Sequence, residues 1–301
     1  MSRGAATSGF RPRGPALPTR VTLAALLVVV LWASAFPAVT IALEGFTPGG
    51  LALARYAVAS LLFLGVAALR PPARPLPAEL ARLAVCGGCG IALYNVALNT
   101  GQQTVSPGAT SLVVNTVPMW TSLLAVPLLG ERAVARQWWG SALALTGVAL
   151  LTFERVGVTV GSGAVMGVAW VMAAAVAQAL YFVVAKPLLR TRSAVEVTAW
   201  AVWLGTLFLL PWTGELTASA SAAGRRAWLA VLFLGFGPAA LAYAAWSFVL
   251  ANSPAGKAAL WLFLVPAVAV GLSWMVFGAP PTPMLLVGGA FCVGGVAVGR
   301  R

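Results

Sequence analysis

The sequence predicts an all-α integral membrane protein: ten transmembrane helices, arranged as two inverted five-helix repeats with both termini in the cytoplasm. Three observations predict this fold class, namely the apolar composition, ten apolar runs of spanning length, and a match between the two halves of the chain. Of the 301 residues 60% are hydrophobic and 8% are charged, and the mean hydropathy is +0.94. Because soluble domains carry about 25% charged residues, this composition excludes one.

Ten apolar runs, separated by glycines, prolines and charged clusters, define the predicted spans. Each is close to the ~20 residues that cross the hydrocarbon core as a helix, and the alternating segments of a membrane barrel do not occur. The predicted spans are 21–43, 48–69, 81–100, 106–129, 135–153, 163–186, 195–212, 227–250, 254–277 and 282–299.

The predicted domains follow from these spans. Residues 1–20 are polar and rich in Pro, Gly and Arg, which is typical of a disordered tail. Residues 21–154 form the first predicted five-helix repeat and residues 155–301 the second. An alternative for the first run is a signal peptide cleaved after Ala33-Ser34-Ala35, but the apolar stretch continues to Leu43, beyond the usual length of a signal core.

Basic residues predict the orientation, because Lys and Arg of short loops are retained on the cytoplasmic side. With the amino terminus inside, fourteen basic residues fall in cytoplasmic segments and three, Arg155, Arg225 and Arg226, fall outside. The net charge of +13 is therefore interpreted as a topology signal. Since no basic stripe lies on an amphipathic helix, we expect the lipid bilayer of the cell (inner) membrane as a partner, and no nucleic acid.

A shift of 148 positions aligns the two halves in ordered register. Glycines and a proline carry the match, because Leu, Val and Ala coincide easily by chance in an apolar sequence. The matching pairs include Gly108/Gly256, Pro118/Pro266, Gly130/Gly278, Gly140/Gly288 and Gly147/Gly295. The last two pairs belong to small-residue stripes that allow close packing of the fifth and tenth helices.

An odd number of helices per repeat makes the second repeat run upside down relative to the first. Inverted repeats of this kind place a solute site near the midplane between the halves, which alternate between inward and outward exposure. The duplication therefore predicts a small-molecule transporter.

One absence and one motif limit the chemistry that this chain can perform. The chain has no histidine, which excludes imidazole catalysis and the usual zinc sites. Cys86-Gly-Gly-Cys89 is a lone CxxC inside an apolar run, and we interpret it as small residues that let helices approach. We expect no cofactor, no metal and no catalytic residue.

Several short motifs resemble the drug/metabolite transporter superfamily, in its ten-helix EamA-like branch, from about Leu23 to Val298. They are Leu31-Trp32-Ala33-Ser34-Ala35-Phe36, Leu53-Ala54-Arg55-Tyr56, Ala97-Leu98-Asn99, Pro118, Gly130-Glu131, Gln178-Ala179-Leu180-Tyr181 and residues 259–266. The chain departs from the family at Gly278-Ala279, where a Gly-Glu pair is common, and at Thr40, where a lysine is. The resemblance implies a transporter and leaves its cargo open.

Polar side chains within spans are predicted to face an interior cavity or another helix, because hydrocarbon cannot satisfy them. The third and fourth predicted spans each carry such a stripe on one helix face. The stripes are Asn95, Asn99 and Gln102, and Ser111, Asn115 and Ser122.

The candidate substrate-binding residues join these amides to aromatic and hydroxyl groups that the resemblance suggests line the central cavity. For each amide the alternative is an interhelical hydrogen bond, and for each tryptophan it is a place in an interfacial belt. The candidates are Trp32, Asn95, Asn99, Asn115, Gln178, Tyr181, Tyr243, Ser247 and Trp261.

Charged residues constrain the cargo. Arg55 lies seven residues into its predicted span, where it either anchors a helix end through carbonyls or meets an anionic group of the cargo, whereas Lys257 can snorkel to the interface. All six acids, Glu44, Glu79, Glu131, Glu154, Glu196 and Glu215, lie at span ends or in loops. Because a proton-coupled exporter of lipophilic cations needs a carboxylate within the membrane, we expect a neutral, zwitterionic or anionic cargo.

The sequence therefore predicts a secondary transporter that exports small polar metabolites, with amino acids or related solutes as the first candidate. The alternatives are an exporter of drug-like or toxic organic compounds, a channel, or an intramembrane enzyme, for which only Ser/Lys chemistry near Lys257 remains. No GxxxxGK[ST] motif occurs, so ATP is not used directly by this chain.

Overall fold

The computed structural model describes residues 19–105, 110, 113–131, 135–153, 162–277 and 283–300. Every regular element in these residues is helical, and no strand occurs among them, which confirms the all-α class. Ser111 and most of the predicted tail lie outside the described residues, as do Glu154 and Arg155.

Fourteen α-helices are described, some of them joined end to end by short π-helical or 3-10 turns. They are α1 Thr19–Leu43, α2 Pro48–Leu69, α3 Pro77–Val85, α4 Tyr94–Gly101, α5 Val117–Leu129, α6 Ala135–Phe153, α7 Ser162–Leu188, α8 Ala194–Leu209, α9 Thr213–Ala222, α10 Arg225–Leu234, α11 Ala242–Ala251, α12 Ala255–Ala259, α13 Leu264–Phe277 and α14 Pro283–Arg300.

Six of the described helical stretches are long and apolar enough to cross a membrane by length and composition. They are Thr19–Leu43, Pro48–Leu69, Pro77–Gly101, Val165–Leu188, Ala194–Ala222 and Arg225–Ala251. Shorter apolar helices occupy Val117–Leu129 and Ala255–Ala269. The predicted span 195–212 is longer in the structure, because a 3-10 turn at Leu210–Trp212 leads directly into α9.

Local sequence explains several helix boundaries. Thr47 precedes Pro48 at the start of α2, and its Oγ1 accepts a hydrogen bond from the Gly50 amide at 3.1 Å, which satisfies one of the free N–H groups of the first turn. Ser193 and Glu196 form a capping box at the start of α8. Gly130 ends α5 with a φ of 66°, a conformation that glycine adopts without strain.

Two π-helical segments interrupt long helices. The first, Cys86–Leu93, joins α3 to α4, and the second, Gly235–Leu241, joins α10 to α11. The 148-residue shift places residues 86–93 on residues 234–241, so the same irregularity occurs at matching positions of the two halves. We name them the first and second π segments. Such segments are rare and occur frequently at functional sites.

The two halves interdigitate. Helix α1 packs against α10, α11 and α13, whereas α2 packs against α8 and the second π segment. The first π segment packs in turn against α7 and α8. Helices of both halves therefore surround the centre of the molecule.

The fifth and tenth predicted spans correspond to α6 and α14, which pack against each other. Four glycines of the small-residue stripes are buried there, namely Gly140, Gly147, Gly288 and Gly295. The close approach that the stripes predict is present in the structure.

Candidate functional site

A central cavity lies between helices of both halves. It encloses about 660 Å³ of space between atoms, including space open to solvent. Its lining is mostly apolar with a few polar side chains, as in typical ligand pockets. The lining residues are Trp32, Ala35, Phe36, Val39, Arg55, Tyr94, Leu98, Gln102, Val114, Asn115, Val117, Gln178, Phe182, Tyr243, Leu262 and Val265.

Tyr243 and Gln178 form a polar pair in the cavity wall. The Tyr243 hydroxyl lies 3.0 Å from the Gly90 carbonyl oxygen and 3.3 Å from Gln178 Oε1. Its single proton can be donated to either oxygen. The pair therefore presents adjustable hydrogen-bonding groups from α7 and α11.

Trp32 makes the corresponding bond from the other half. Its indole Nε1 donates to the Pro238 carbonyl oxygen at 3.2 Å. The ring packs against Tyr243, with centroids 5.4 Å apart in an edge-on arrangement, and lies parallel to the ring of Phe182. The aromatic side chains thus hold one another in place around the cavity.

The carbonyl acceptors of these two bonds are related by the duplication. Gly90 lies in the first π segment and Pro238 in the second, and the two positions are 148 residues apart. Each π segment therefore offers a matching carbonyl to a cavity side chain of the opposite half. These hydrogen bonds join the two halves at the cavity wall.

Arg55 brings a buried cation to the same cavity. Its side chain is on α2, and the residue is 4% exposed. The Nη1 atom donates to Asn95 Oδ1 at 2.9 Å, and the guanidinium lies 5.3 Å from the centre of the Tyr56 ring. Its buried Nε has no hydrogen-bond partner among the residues that the structure describes.

No carboxylate is among the residues that line this cavity in the described part of the chain. Glu79 pairs with Arg192, Glu131 accepts from the Ala255 and Gly256 amides, and Glu215 accepts from Thr47. Glu196 belongs to the capping box of α8, and Glu44 is exposed. The described acids are thus engaged or exposed away from the cavity, as the sequence predicts for span ends and loops.

Four of the nine candidate site residues line the cavity, namely Trp32, Asn115, Gln178 and Tyr243. The polar stripe of the third predicted span is divided, because Gln102 lines the cavity whereas Asn95 and Asn99 do not. Asn95 reaches the cavity through Arg55, and the Nδ2 of Asn99 donates to the Pro48 carbonyl oxygen at 2.9 Å.

The other three candidates lie behind the cavity wall. Tyr181 and Ser247 are buried, with their hydroxyl oxygens 3.5 Å apart, and the Ser247 hydroxyl lies 2.8 Å from that of Thr198. The ring centroid of Tyr181 is 5.6 Å from that of Tyr243. Trp261 is buried in the core, in the 3-10 turn Leu260–Phe263.

Sequence reasoning missed most of the apolar lining, and it left the role of Arg55 open. Tyr94 and Leu98 of α4, and Gln102 directly after its end, are spaced four residues apart and so share one helix face. An aromatic ring and an amide on one helical face are a signal that could have found this wall. Phe36, Phe182 and Leu262 carry no such signal, since an apolar side chain facing lipid has the same composition.

The CxxC motif lies in the first π segment, and Cys86 and Cys89 are both free thiols. A Cβ on Gly87, between them, would come within 2.6 Å of the Gly205 amide nitrogen. The described residues contain no group of three or more side chains that could hold a metal ion. Gly87, within the motif, therefore permits the close contact of the first π segment with α8.

Polar contacts also join the halves at the helix ends near 73–79 and 186–196. Arg192 donates from Nη2 to Glu79 Oε2 and from Nη1 to the Ala73 carbonyl oxygen, at 2.8 and 2.9 Å. The hydrogen bond with the Glu79 carboxylate raises the pKa of Arg192. Within the second half, Lys186 donates to the carbonyl oxygens of Leu250, near the end of α11, and of Ser253, in the turn to α12.

Comparisons with known proteins agree with this architecture. Residues 19–153 and 165–299 each match the EamA-like transporter family. The chain is 36% identical over 284 residues to a probable terminal-alkyne amino-acid exporter of Streptantibioticus cattleyicolor, with 94% of each chain covered. It is 34% identical over 273 residues to the uncharacterized transporter YdfC of Bacillus subtilis, covering 90% of this chain and 87% of that one.

One solved crystal structure shares the fold. It superimposes with a TM-score of 0.77 at 22% sequence identity, and the match covers 93% of this chain and 96% of the other. At that identity the likeness shows the fold alone.

Proposed function

Because the chain belongs to the EamA-like transporter family, we propose that it exports amino acids or related neutral, zwitterionic or anionic metabolites across the cell membrane. Membership makes it a multi-pass membrane transporter and not an enzyme. The proposal adds the class of cargo, the direction of transport and the inner membrane as its location.

The composition of the cavity carries the proposal. The lining offers amide, phenol and indole groups together with one buried cation, and it contains no carboxylate among the described residues. Such a lining can bind a neutral or negatively charged polar group, whereas an isolated organic cation would find no opposite charge there. The name of the Streptantibioticus relative, a probable amino-acid exporter, supports the same class.

The proposed mechanism is alternating access between the two repeats, with the cavity as the cargo site. The matching carbonyls of Gly90 and Pro238, each bonded to a side chain of the opposite half, support a site shared by the repeats. Movement of one half against the other would break and remake such contacts, as in other inverted-repeat transporters. Inverted repeats, and termini in the cytoplasm, are part of this proposal.

The apolar share of the lining favours a second candidate, an exporter of drug-like organic compounds. Trp32, Phe36 and Phe182 would contact such a compound by apolar burial. The two candidates are distinguished by the charge of the cargo, because a proton-coupled exporter of lipophilic cations needs a carboxylate within the membrane.

The test is transport by the purified protein in proteoliposomes. We expect saturable counterflow of radiolabelled apolar amino acids such as L-leucine, and growth protection of host cells that express the protein during challenge with toxic amino-acid analogues. Empty liposomes and cells with an empty vector are the controls. Proton-driven transport of a quaternary ammonium compound, with no counterflow of any carboxylate-bearing solute, would contradict the proposal.

A further inference from the structure

We infer that Arg55 binds the carboxylate of the cargo, so that the site selects monocarboxylate solutes with an apolar body, of which amino acids with apolar side chains are the first candidates. The inference rests on the proposed function. It names the residue that recognises the cargo and the group that is recognised.

Arg55 is a buried cation without an acidic partner in the described residues. It is 4% exposed, and the ion pair that the structure records joins Arg192 to Glu79, in another part of the molecule. An uncompensated charge in a low-dielectric interior is costly, and it is retained where an opposite charge binds. A carboxylate entering the cavity would supply that charge.

The hydrogen bonds of Arg55 leave donors for a ligand. A guanidinium carries five N–H donors in a planar fork that fits the two oxygens of a carboxylate. Asn95 Oδ1 accepts from Nη1, whereas Nε has no partner in the described part of the chain. An anchor for a helix end would bind main-chain carbonyls, but the recorded hydrogen-bond partner of Arg55 is a side-chain amide.

Asn95 holds the guanidinium in place. Its Nδ2 donates to the Tyr56 hydroxyl at 3.1 Å and to the Ile91 carbonyl oxygen at 2.7 Å. Both amide protons are therefore engaged, and the carbonyl oxygen is left to face Arg55. A binding group that is oriented before the ligand arrives loses less entropy when the ligand binds.

The other lining residues define the body of the cargo. Apart from Arg55, the polar lining consists of neutral groups such as Gln102 and Gln178. Most of the remaining wall is apolar or aromatic. Among the described residues, no lining side chain supplies a second positive charge for a dicarboxylate, or a carboxylate for an isolated cation. The lining therefore suits one carboxylate attached to an apolar side chain.

The experiment measures how strongly the cavity prefers a carboxylate. In proteoliposomes, L-leucine, 4-methylpentanoate and L-leucinamide compete for counterflow of radiolabelled L-leucine. For the wild type we expect both carboxylates to compete at least about tenfold better than the amide, because a hydrogen bond to a charged group contributes more than a neutral one.

Variants at Arg55 then test the residue. We expect Arg55→Gln and Arg55→Met to raise the KM for L-leucine ten- to a hundredfold and to reduce the preference for carboxylates over leucinamide to near unity. Arg55→Lys should keep part of the preference with a higher KM, because a lysine retains the charge without the planar fork. Arg70→Gln removes an exposed arginine after the same helix and should change neither quantity.

Thermal unfolding separates binding from a structural role. Because Arg55 has no recorded acidic partner, Arg55→Met should keep the midpoint within about 3 °C of the wild type or raise it. If Arg55→Met lowers the midpoint by over about 10 °C and Arg55→Lys keeps the wild-type KM, Arg55 is a structural anchor and the inference is wrong. The inference also fails if the wild type transports L-leucine and both neutral variants keep its KM and its preference.

A different result identifies failure of the proposed function itself. If the wild type transports no carboxylate-bearing solute, the amino-acid proposal fails before the variants are compared. Variant effects are interpreted only where wild-type counterflow of L-leucine is saturable, so the two failures are distinct.

Discussion

Single polar side chains in this protein either join helices or line the cavity. Asn95 and Asn99 lie one helical turn apart, and both donate to groups on α2 or at its start. Gln178 and Tyr243 instead meet at the cavity wall. Within the membrane a polar side chain is stabilised either by a hydrogen bond to another helix or by facing a cavity. Its position in the sequence therefore does not distinguish these two roles.

The tyrosine hydroxyls offer a matched comparison at this scale. Tyr243→Phe removes the hydroxyl that lies between Gly90 and Gln178 in the cavity lining. We expect the KM of the transported solute to change by about three- to tenfold, because one polar group of the wall and one contact between the halves are lost. Counterflow in proteoliposomes measures the effect.

Tyr181→Phe is the matched control, since it removes a hydroxyl that lies behind the wall at 3.5 Å from Ser247. We expect its KM to stay within about twofold of the wild type, because a long contact between hydroxyl groups contributes little. An equal change in KM for both variants would contradict the distinction between residues that line the cavity and residues that lie behind its wall.

At the scale of elements, the first π segment owes its position to glycine. Gly87 faces the main chain of α8, where an added Cβ would lie 2.6 Å from the Gly205 nitrogen and 2.8 Å from the Ala201 oxygen. Gly205 is equally confined, with Ile91 2.4 Å from the position of its Cβ. The two helices approach so closely because neither carries a side chain at the crossing.

Gly87→Ala should therefore destabilise the protein by roughly 1–3 kcal/mol, the usual cost of overpacking. Thermal unfolding in detergent, followed by tryptophan fluorescence, measures the change. Gly65→Ala is the control on α2, because no atom lies within 4 Å of its added Cβ. We expect Gly65→Ala to be neutral or slightly stabilising, since alanine has the higher helix propensity. A midpoint for Gly87→Ala at or above that of Gly65→Ala would rule out the close crossing.

At the scale of the whole molecule, the two halves are joined both at the cavity and at one end of the helices. Arg192, in the second half, binds Glu79 and the carbonyl oxygens of Ala73 and Arg74 in the first. The predicted orientation places this end in the cytoplasm. In the proposed alternating-access mechanism, these contacts would open and close once per transport cycle.

Arg192→Glu should lower the maximal transport rate severalfold and leave the KM nearly unchanged, because the contact lies outside the cavity lining and affects the movement of the halves. The charge swap Arg192→Glu/Glu79→Arg should restore a large part of the rate, and counterflow kinetics measure both variants. Arg190→Glu is the control, since Arg190 is an exposed neighbour. A swap without any recovery would exclude the ion pair as the cause.

The 148-residue duplication is the whole-molecule feature that the sequence predicted from the second half of each repeat. The structure extends it to residues outside the original match, because the π segments also occupy matching positions and Asn95 and Asn99 correspond to Tyr243 and Ser247. Because these side chains differ between the halves, the sequence does not show that the positions correspond. The correspondence is evident in the structure, from the π segments and from the hydrogen bonds that their carbonyls accept.

The sequence by itself determined the all-helical membrane class and the transporter family, because apolar run length, charge and repeated glycines are local properties that survive without knowledge of packing. Only the tertiary structure decided which faces line the cavity. Successive residues of a helix differ by about 100° in direction, so Tyr94 and Leu98 reach the cavity, whereas Asn95 and Asn99, each one residue further along, bind groups of α2. Spacing predicts which residues share a face, but the direction of that face depends on the neighbouring helices.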